Sequence, residues 1–260
     1  MINRLPIGVR ILAILSFGFV SLPLLSLLWR VPWQRLWTLV ASDTVTDALL
    51  LSLTSSVLAA LLALALGVPL ALQLSKMSGF AASIARAVVV LPMILPPVVG
   101  GAALLFAFGR NGLVGSLLAD VSGVVLPYSI SGVVLANTFV ALPFVVITVE
   151  GALRTIDPRY ALAASTLRAN SSGITFRVVL PMVRPAVIAG GFIAWARALG
   201  EFGATITFAG NIQGKTQTLP LAVFVALESD REAALAMSVL LISVSLIVLI
   251  SLRDRWWPVR

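Results

Sequence analysis

Six long apolar runs constrain the fold of this chain more than any other feature of its sequence. About twenty consecutive apolar residues are what an α-helix needs to cross the hydrocarbon core of a bilayer. Only 11% of the residues are charged and the mean hydropathy is +1.08, whereas soluble domains carry about a quarter charged residues. The sequence therefore predicts an all-α polytopic membrane protein with six transmembrane helices, at about 10–29, 48–74, 87–108, 131–151, 185–209 and 234–252.

The first run begins like a signal peptide, because Arg4 and Arg10 precede it. It is too long for a typical signal-peptide core and no A-x-A cleavage site follows, so we expect a retained membrane helix. We divide the chain as a single transmembrane domain, 1–260. It has an N-terminal helix and outer loop (1–47), a core (48–252) and one long polar connection (154–184) within that core.

The distribution of basic residues predicts the orientation in the membrane. With six spans, cytoplasmic termini place twelve basic residues inside and five outside, with Arg197 within a span, which accounts for all 18 Lys and Arg residues. The inside-positive bias favours this topology and explains the net charge of +8 without a nucleic-acid partner. Interfacial tryptophans are then expected outside at Trp29, Trp33 and Trp37, and inside at Trp256 and Trp257.

The chain contains no cysteine and no histidine. Disulfides, thiolate metal sites and imidazole acid–base chemistry are therefore excluded. The sequence also lacks clustered metal ligands or paired carboxylates of the kind a membrane enzyme needs. We accordingly predict no catalytic residue, no metal site and no cofactor.

The connection 154–184 is predicted to lie in the cytoplasm and to contain a short helix. Asp157 is expected to cap the helix and Pro158 to occupy its first position. The next residues, in a spacing of i, i+3, i+4 and i+7, form one narrow apolar face: Tyr160, Ala163, Ala164 and Leu167. Residues 168–173 (RANSSG) are predicted to break the helix, and a second apolar piece follows at 174–179. Such a helix either docks into a groove on another protein or caps the bundle at the membrane interface.

This segment resembles the loop with a Glu-Ala-Ala signature that is typical of bacterial ABC importer permeases. Five residues fall in register with that pattern: Ala163, Ala164, Val178, Leu180 and Pro181. Leu162 stands where the family has glutamate. Arg168 stands where it has glycine. In the family this loop is a coupling helix that inserts into a cleft of a cytoplasmic ATPase subunit. The resemblance implies that role for Asp157, Arg159, Tyr160, Ala163, Ala164, Leu167, Arg168, Leu180 and Pro181.

Two further stretches, 91–115 and 195–224, resemble the molybdate-type permeases, with sulfate permeases a close second. The resemblance implies a type I ABC importer permease fold in the bacterial plasma membrane. It also implies import of an oxyanion, with molybdate favoured and tungstate or sulfate as alternatives. The implied partners are a second permease (favouring a homodimer), two copies of an ATP-binding subunit and an extracytoplasmic oxyanion-binding protein. ATP hydrolysis would then take place on the separate subunit.

Residues within the spans suggest a path for the transported solute. Pro92, Pro96 and Pro97 interrupt backbone hydrogen bonding at membrane depth and are candidate hinge residues. Arg197 and Glu201 form an i, i+4 pair of opposite charge within the fifth span. Because either charge is costly in lipid, we expect them to face a water-filled path as a gate, or to be a buried structural pair.

Three polar residues also lie within the fourth and fifth spans and are candidates for lining a path: Asn137, Thr205 and Thr207. Single polar residues in membrane helices more often bond across helices. Both interpretations stay open at this point.

One motif suggests a different function. AGNIQGKT (209–216) resembles a phosphate-binding loop with Ala209 in place of its first glycine. Such a loop follows a buried strand and opens a helix. This stretch instead follows a membrane span on the predicted outer side, so we do not expect nucleotide binding.

A self-contained carrier or channel driven by an ion gradient is the alternative function. Such proteins usually show internal repeats or several carboxylates inside the membrane. Here Glu201 is the one carboxylate well inside a predicted span, with Glu150 near the inner end of another. The sequence therefore favours the importer permease.

Overall fold

The structure, a computed structural model, describes residues 6–251, and every regular element in that range is helical. The helices are α1 (Ile7–Trp29), α2 (Leu36–Val40), α3 (Asp43–Lys76), α4 (Gly79–Ile94), α5 (Pro97–Phe108), α6 (Gly115–Ser122) and α7 (Ile130–Arg154). They continue with α8 (Arg159–Thr166), α9 (Ser171–Ile174), a π-helical segment (Thr175–Val179), α10 (Leu180–Met182), α11 (Arg184–Leu199), α12 (Gly203–Phe208), α13 (Leu219–Ser229) and α14 (Arg231–Ser251).

Three of the described helices, α1, α3 and α7, are long and apolar enough to cross a membrane, and up to five spans result if each bent pair is counted as one. The all-α membrane architecture is confirmed. The count of six remains a prediction, although α14 forms a 21-residue helix at the sixth predicted position. The prediction missed α13, an apolar helix between the fifth and sixth predicted spans.

Two predicted spans are not continuous helices. The run at 87–108 is divided into α4 and α5, which meet at an angle of 116°. Pro96 and Pro97 lack backbone donors, and Leu95 has an extended conformation of the kind that a following proline imposes. The run at 185–209 is divided by residues 200–202 into α11 and the short α12.

The central core consists of α3, α7 and α11, which pack closely because small residues lie at their crossings. A Cβ atom on Gly67 of α3 would lie 2.9 Å from the Val145 side chain of α7. One on Gly191 of α11 would lie 2.9 Å from Leu64 of α3. Small residues of this kind allow close helix approach in membrane proteins, and they make these three helices the frame that carries the site.

The N-terminal helix α1 differs from this core, because none of its residues in the described structure is buried. Apart from the half-buried Leu27 and Leu28, its apolar side chains are exposed, as in a helix surrounded by lipid or by another subunit. Trp29, Trp33 and Trp37 are likewise exposed. Trp256 and Trp257 lie outside the described residues.

Candidate translocation path and coupling surface

The break between α4 and α5 opens onto a cavity of about 350 Å³. All three candidate hinge prolines, Pro92, Pro96 and Pro97, line it, together with aromatic residues of α7 and Arg197 of α11. Of the described residues that line this cavity, Arg197 is the one that carries a charge. The structure therefore brings the predicted hinge and the predicted intramembrane arginine to the same place, although their sequence positions are about a hundred residues apart.

Arg197 and Glu201 form the ion pair that their spacing predicts. Arg197 Nη2 lies 2.6 Å from Glu201 Oε2, and the side chains are 31% and 1% exposed. Glu201 Oε1 also accepts a hydrogen bond of 2.8 Å from the backbone N–H of Ala204, an otherwise unpaired donor in the first turn of α12. Glu201 thus contacts both sides of the break between α11 and α12, while Arg197, whose charge it partly neutralises, lines the cavity.

The three polar candidates do not line this cavity in the described structure. Thr205 Oγ1 donates a hydrogen bond of 3.1 Å to Asn137 Oδ1, and both residues are buried. This bond joins α12 to α7. Thr207 Oγ1 donates to the carbonyl of Gly203 within its own helix. The geometry thus shows a cross-helix bond for the first two, and a path role for any of the three stays a prediction.

Helix α5 packs directly on α12. The interrupted run at 87–108 therefore contacts the interrupted run at 185–209. A Cβ atom on Gly101 would lie 2.6 Å from Cβ of Thr207 and 2.9 Å from the carbonyl oxygen of Ala204. A Cβ atom on Gly203 would lie 2.5 Å from Cβ of Pro97. The two broken runs are therefore in close contact at these two glycines.

The stretch at 209–216 has none of the geometry of a phosphate-binding loop. The backbone N–H groups of Lys215, Thr216 and Gln217 all bond to the carbonyl of Ile212. The Thr216 hydroxyl is buried and accepts from the Ile212 N–H. These donors point into the loop itself, and no strand precedes it in the described chain. Lys215 is exposed.

The short helix predicted within the connection 154–184 is present as α8, and its role in coupling remains a prediction. Pro158 already has helical backbone angles, and Asp157 Oδ1 accepts a hydrogen bond of 2.9 Å from the N–H of Arg159. Asp157 therefore caps the start of the helix as predicted, although α8 begins at Arg159, one residue later than predicted. Arg159 itself is exposed, with Nε 3.8 Å from Asp157 Oδ2.

The apolar face of α8 is open to solvent. Tyr160 is 54% exposed and Leu167, just beyond the last helical residue, is 84% exposed. Ala163 is exposed and Ala164 half-buried. An exposed tyrosine and leucine on either side of two alanines make a surface that would lose water on contact with a partner.

Arg168, at the position where the family pattern has glycine, has a φ of +59°. Its N–H bonds to the carbonyl of Ser165, and the N–H of Ala169 bonds to the carbonyl of Ala164. These two bonds form a Schellman motif, whose left-handed residue is usually glycine. Arg168 therefore has the left-handed conformation that glycine adopts most readily.

The second half of the loop is more helical than predicted. The break at 168–173 was predicted too long, because α9 begins at Ser171, where the Asn170 side chain accepts from the N–H of Gly173. The following π-helical segment ends directly before Leu180 and Pro181. Pro181 has no N–H and its ring collides with the carbonyl four residues earlier in an α-helix, which accounts for the wider turn.

Sequence reasoning missed a cluster of charges at the predicted inner end of the bundle. Glu150 Oε1 lies 2.7 Å from Arg86 Nε and 2.9 Å from Arg154 Nη2. Arg86 Nη2 also donates to the carbonyls of Leu74, at 2.7 Å, and Met77, at 3.1 Å. The i, i+4 spacing of Glu150 and Arg154 was the only signal available, since Arg86 is 64 residues away in sequence.

The chain also matches a known protein family in sequence. The profile of the family described as "Binding-protein-dependent transport system inner membrane component" matches residues 63–255, well over half of the chain. The chain belongs to this family. It is therefore a membrane component of a transport system, and the carrier or channel that works alone is not the function of its family.

Two relatives and one solved structure show in more detail which proteins this chain is similar to. It is 44% identical to the molybdenum transport system permease protein ModB of Mycobacterium tuberculosis, over 96% of this chain and 95% of that protein. It is 40% identical to the sulfate transport system permease protein CysT of Salmonella typhimurium, over 65% and 61% of the two chains. A chain of a bacterial alginate ABC transporter, solved with an alginate-bound periplasmic protein, has a TM-score of 0.75 at 18% identity, over 95% and 93% of the chains. The fold is that of an ABC importer permease.

Proposed function

We propose that this protein is the permease subunit of an ABC importer that carries a tetrahedral oxyanion into the cytoplasm, with molybdate as the preferred cargo and tungstate or sulfate as alternatives. The observation that carries the proposal is the 44% identity, over nearly the full length of both chains, to a permease of molybdenum transport. The sulfate permease relative supports the same class of cargo at lower coverage.

The cavity at the helix breaks supports an anionic cargo. Its charged lining residue in the described structure is an arginine, Arg197, whose guanidinium matches the geometry of oxyanions. Glu201 engages one end of that group. The remaining donors of the guanidinium can meet a passing dianion without the full cost of burying an unpaired positive charge.

The mechanism we propose is alternating access driven by ATP on a separate subunit. Closure of two ATP-binding subunits moves the coupling helices α8 of two permeases, and the spans rotate to open outward. An extracytoplasmic binding protein then releases its anion into the path, and hydrolysis restores the inward-facing state. The exposed Tyr160, Ala163 and Leu167 supply the apolar docking face, and the packing of α5 on α12 links the two broken runs.

The assembly we propose contains two copies of this chain, two ATP-binding subunits and the binding protein, with both termini of the permease in the cytoplasm. The basic residues of the loop 154–184 then lie on the inner face, as the inside-positive bias requires. Lys215 faces the side from which the binding protein approaches.

The test is uptake of labelled molybdate by the reconstituted complex with Arg197→Met/Glu201→Gln in the permease. This double variant removes the positive charge without leaving an unpaired buried carboxylate, and the introduced glutamine amide retains an acceptor for the N–H of Ala204. We expect the complex to assemble and uptake to fall at least about tenfold, whereas Arg197→Lys in the intact pair retains part of it. Wild-type uptake by an assembled double variant would exclude a role for Arg197 in the path. Calorimetry of the cognate binding protein with molybdate, tungstate and sulfate identifies the cargo.

A further inference from the structure

The charged cluster between the inner ends of α3 and α7 and the middle of α4, here called the inner clamp, consists of Arg86, Glu150 and Arg154. Glu150 is nearly buried, with its side chain 10% exposed, and it bridges both arginines. Removal of one partner from a buried charged group leaves the others uncompensated. The inner clamp therefore holds its three helices in one arrangement, and does so in the part of the bundle closest to the coupling loop.

Arg86 extends the inner clamp to a third helix. Its Nη2 group donates to the carbonyls of Leu74, near the end of α3, and Met77, which follows the helix. The Leu74 carbonyl also accepts the N–H of Met77, so Arg86 adds a side-chain bond at a helix end where the last carbonyls lack their usual α-helical donors. Its Nε donates to Glu150 of α7. One side chain on α4 thus joins the ends of α3 and α7 through charge-assisted bonds, which are the stronger class of hydrogen bond.

The coupling helix α8 is poorly connected to these helices by packing. It packs on the π-helical segment and on α9, and a cavity of about 430 Å³ separates it from α3 and α7, lined among others by Lys76, Leu153, Ala161 and Ile174. The direct link from α8 to α7 is the short connection 155–158. Arg154, an arm of the inner clamp, is the last residue of α7 before that connection.

We propose that the inner clamp is a positioning element for transport, which makes α4 move as one body with the inner ends of α3 and α7 when α8 is displaced by its partner. Helix α4 ends directly before the break at Leu95 and Pro96. Its movement therefore changes the shape of the cavity that these residues and Arg197 line. The inner clamp touches neither the anion nor the ATP-binding subunit. This proposal rests on the function proposed above and adds to it the route by which movement of the loop reaches the path.

The experiment measures the ATP hydrolysed per anion transported by the complete complex in proteoliposomes, with the binding protein present. Arg154→Gln removes one arm of the inner clamp, and Arg154 is half-exposed, so the chain should still fold. Arg154→Lys retains the charge and serves as the conservative rescue. Glu150→Gln removes the central charge. Glu232→Gln is the matched control, because it breaks the exposed pair of Arg35 and Glu232 at the opposite end of the bundle.

We expect the ATP hydrolysed per anion to rise about threefold to tenfold in Arg154→Gln, a range typical of substitutions that weaken coupling between sites, and further in Glu150→Gln. Arg154→Lys and Glu232→Gln should match the wild type. If Glu150→Gln does not assemble, Arg154→Gln alone decides. A wild-type ratio in an assembled Arg154→Gln complex overturns the proposal. If the wild-type complex itself shows no ATP-dependent uptake, the proposed function fails instead.

Discussion

Replacement of Glu201 by Ala or by Gln separates the two roles that the structure gives this carboxylate. In the wild type it pairs with Arg197 at 2.6 Å and accepts from the N–H of Ala204 at 2.8 Å. Alanine removes both contacts. Glutamine keeps an acceptor for Ala204 but removes the charge. The two variants should therefore differ in stability by an amount that reports the cap of α12.

The magnitudes follow from burial. Truncation of one member of a buried ion pair costs about 3–5 kcal/mol, and since Arg197 is 31% exposed we take the lower end, about 3 kcal/mol. Loss of the cap adds about 1 kcal/mol. Glu201→Ala should thus be destabilised by about 4 kcal/mol and Glu201→Gln, which keeps the acceptor for Ala204 but loses the charge, by about 3 kcal/mol.

The assay is the free energy of unfolding in mixed micelles, titrated with a denaturing detergent and followed by tryptophan fluorescence. Glu232→Gln is the control, because its partner Arg35 is 66% exposed and such surface pairs contribute at most about 1 kcal/mol. If Glu201→Ala lies within about 1 kcal/mol of the wild type, or if Ala and Gln are equally destabilising, the carboxylate does not have the buried pair and cap described here.

Three further predictions concern the coupling loop and the meeting of the broken runs. Ala164→Trp should abolish co-purification of the ATP-binding subunit, because the indole prevents α8 from entering a cleft; an intact complex would count against docking through this face. Arg168→Gly should slow amide exchange in α8 about fivefold, since a left-handed residue other than glycine is strained by roughly 1 kcal/mol; unchanged exchange would show that the turn is unstrained. Gly101→Val should lower the free energy of unfolding by about 1–3 kcal/mol, because the valine side chain would collide with Thr207 and Ala204. The midpoint of thermal unfolding in detergent measures this loss, and an unchanged midpoint would refute the packing described here.

Much of the fold could be predicted from the sequence, because lipid admits few solutions for an apolar chain. Runs of about twenty apolar residues have to be helical at membrane depth, and α1, α3 and α7 lie where those runs predict. The breaks were harder to predict. Proline is common in membrane helices, and Pro69 and Pro143 lie inside α3 and α7 without dividing them, so the prolines near Leu95 could mark only a candidate hinge.

The candidate site could also be predicted only in part. The Arg197–Glu201 pair and the cap at Asp157 depend on residues two to four positions apart, which local spacing can reveal. The inner clamp and the cavity bring together residues from distant helices, and their contacts depend on how the helices pack. Arg86 counted in the sequence only as one more basic residue on the inner side, whereas in the structure it joins three helices.

Uptake of labelled molybdate into proteoliposomes tests the central claim most directly. The vesicles contain this permease with its ATP-binding subunit, hold ATP inside and are supplied with the cognate binding protein outside. We predict accumulation that requires ATP, the ATP-binding subunit and the binding protein together, and that an imposed proton or sodium gradient does not replace. Accumulation driven by such a gradient in vesicles that contain the permease alone would contradict the account.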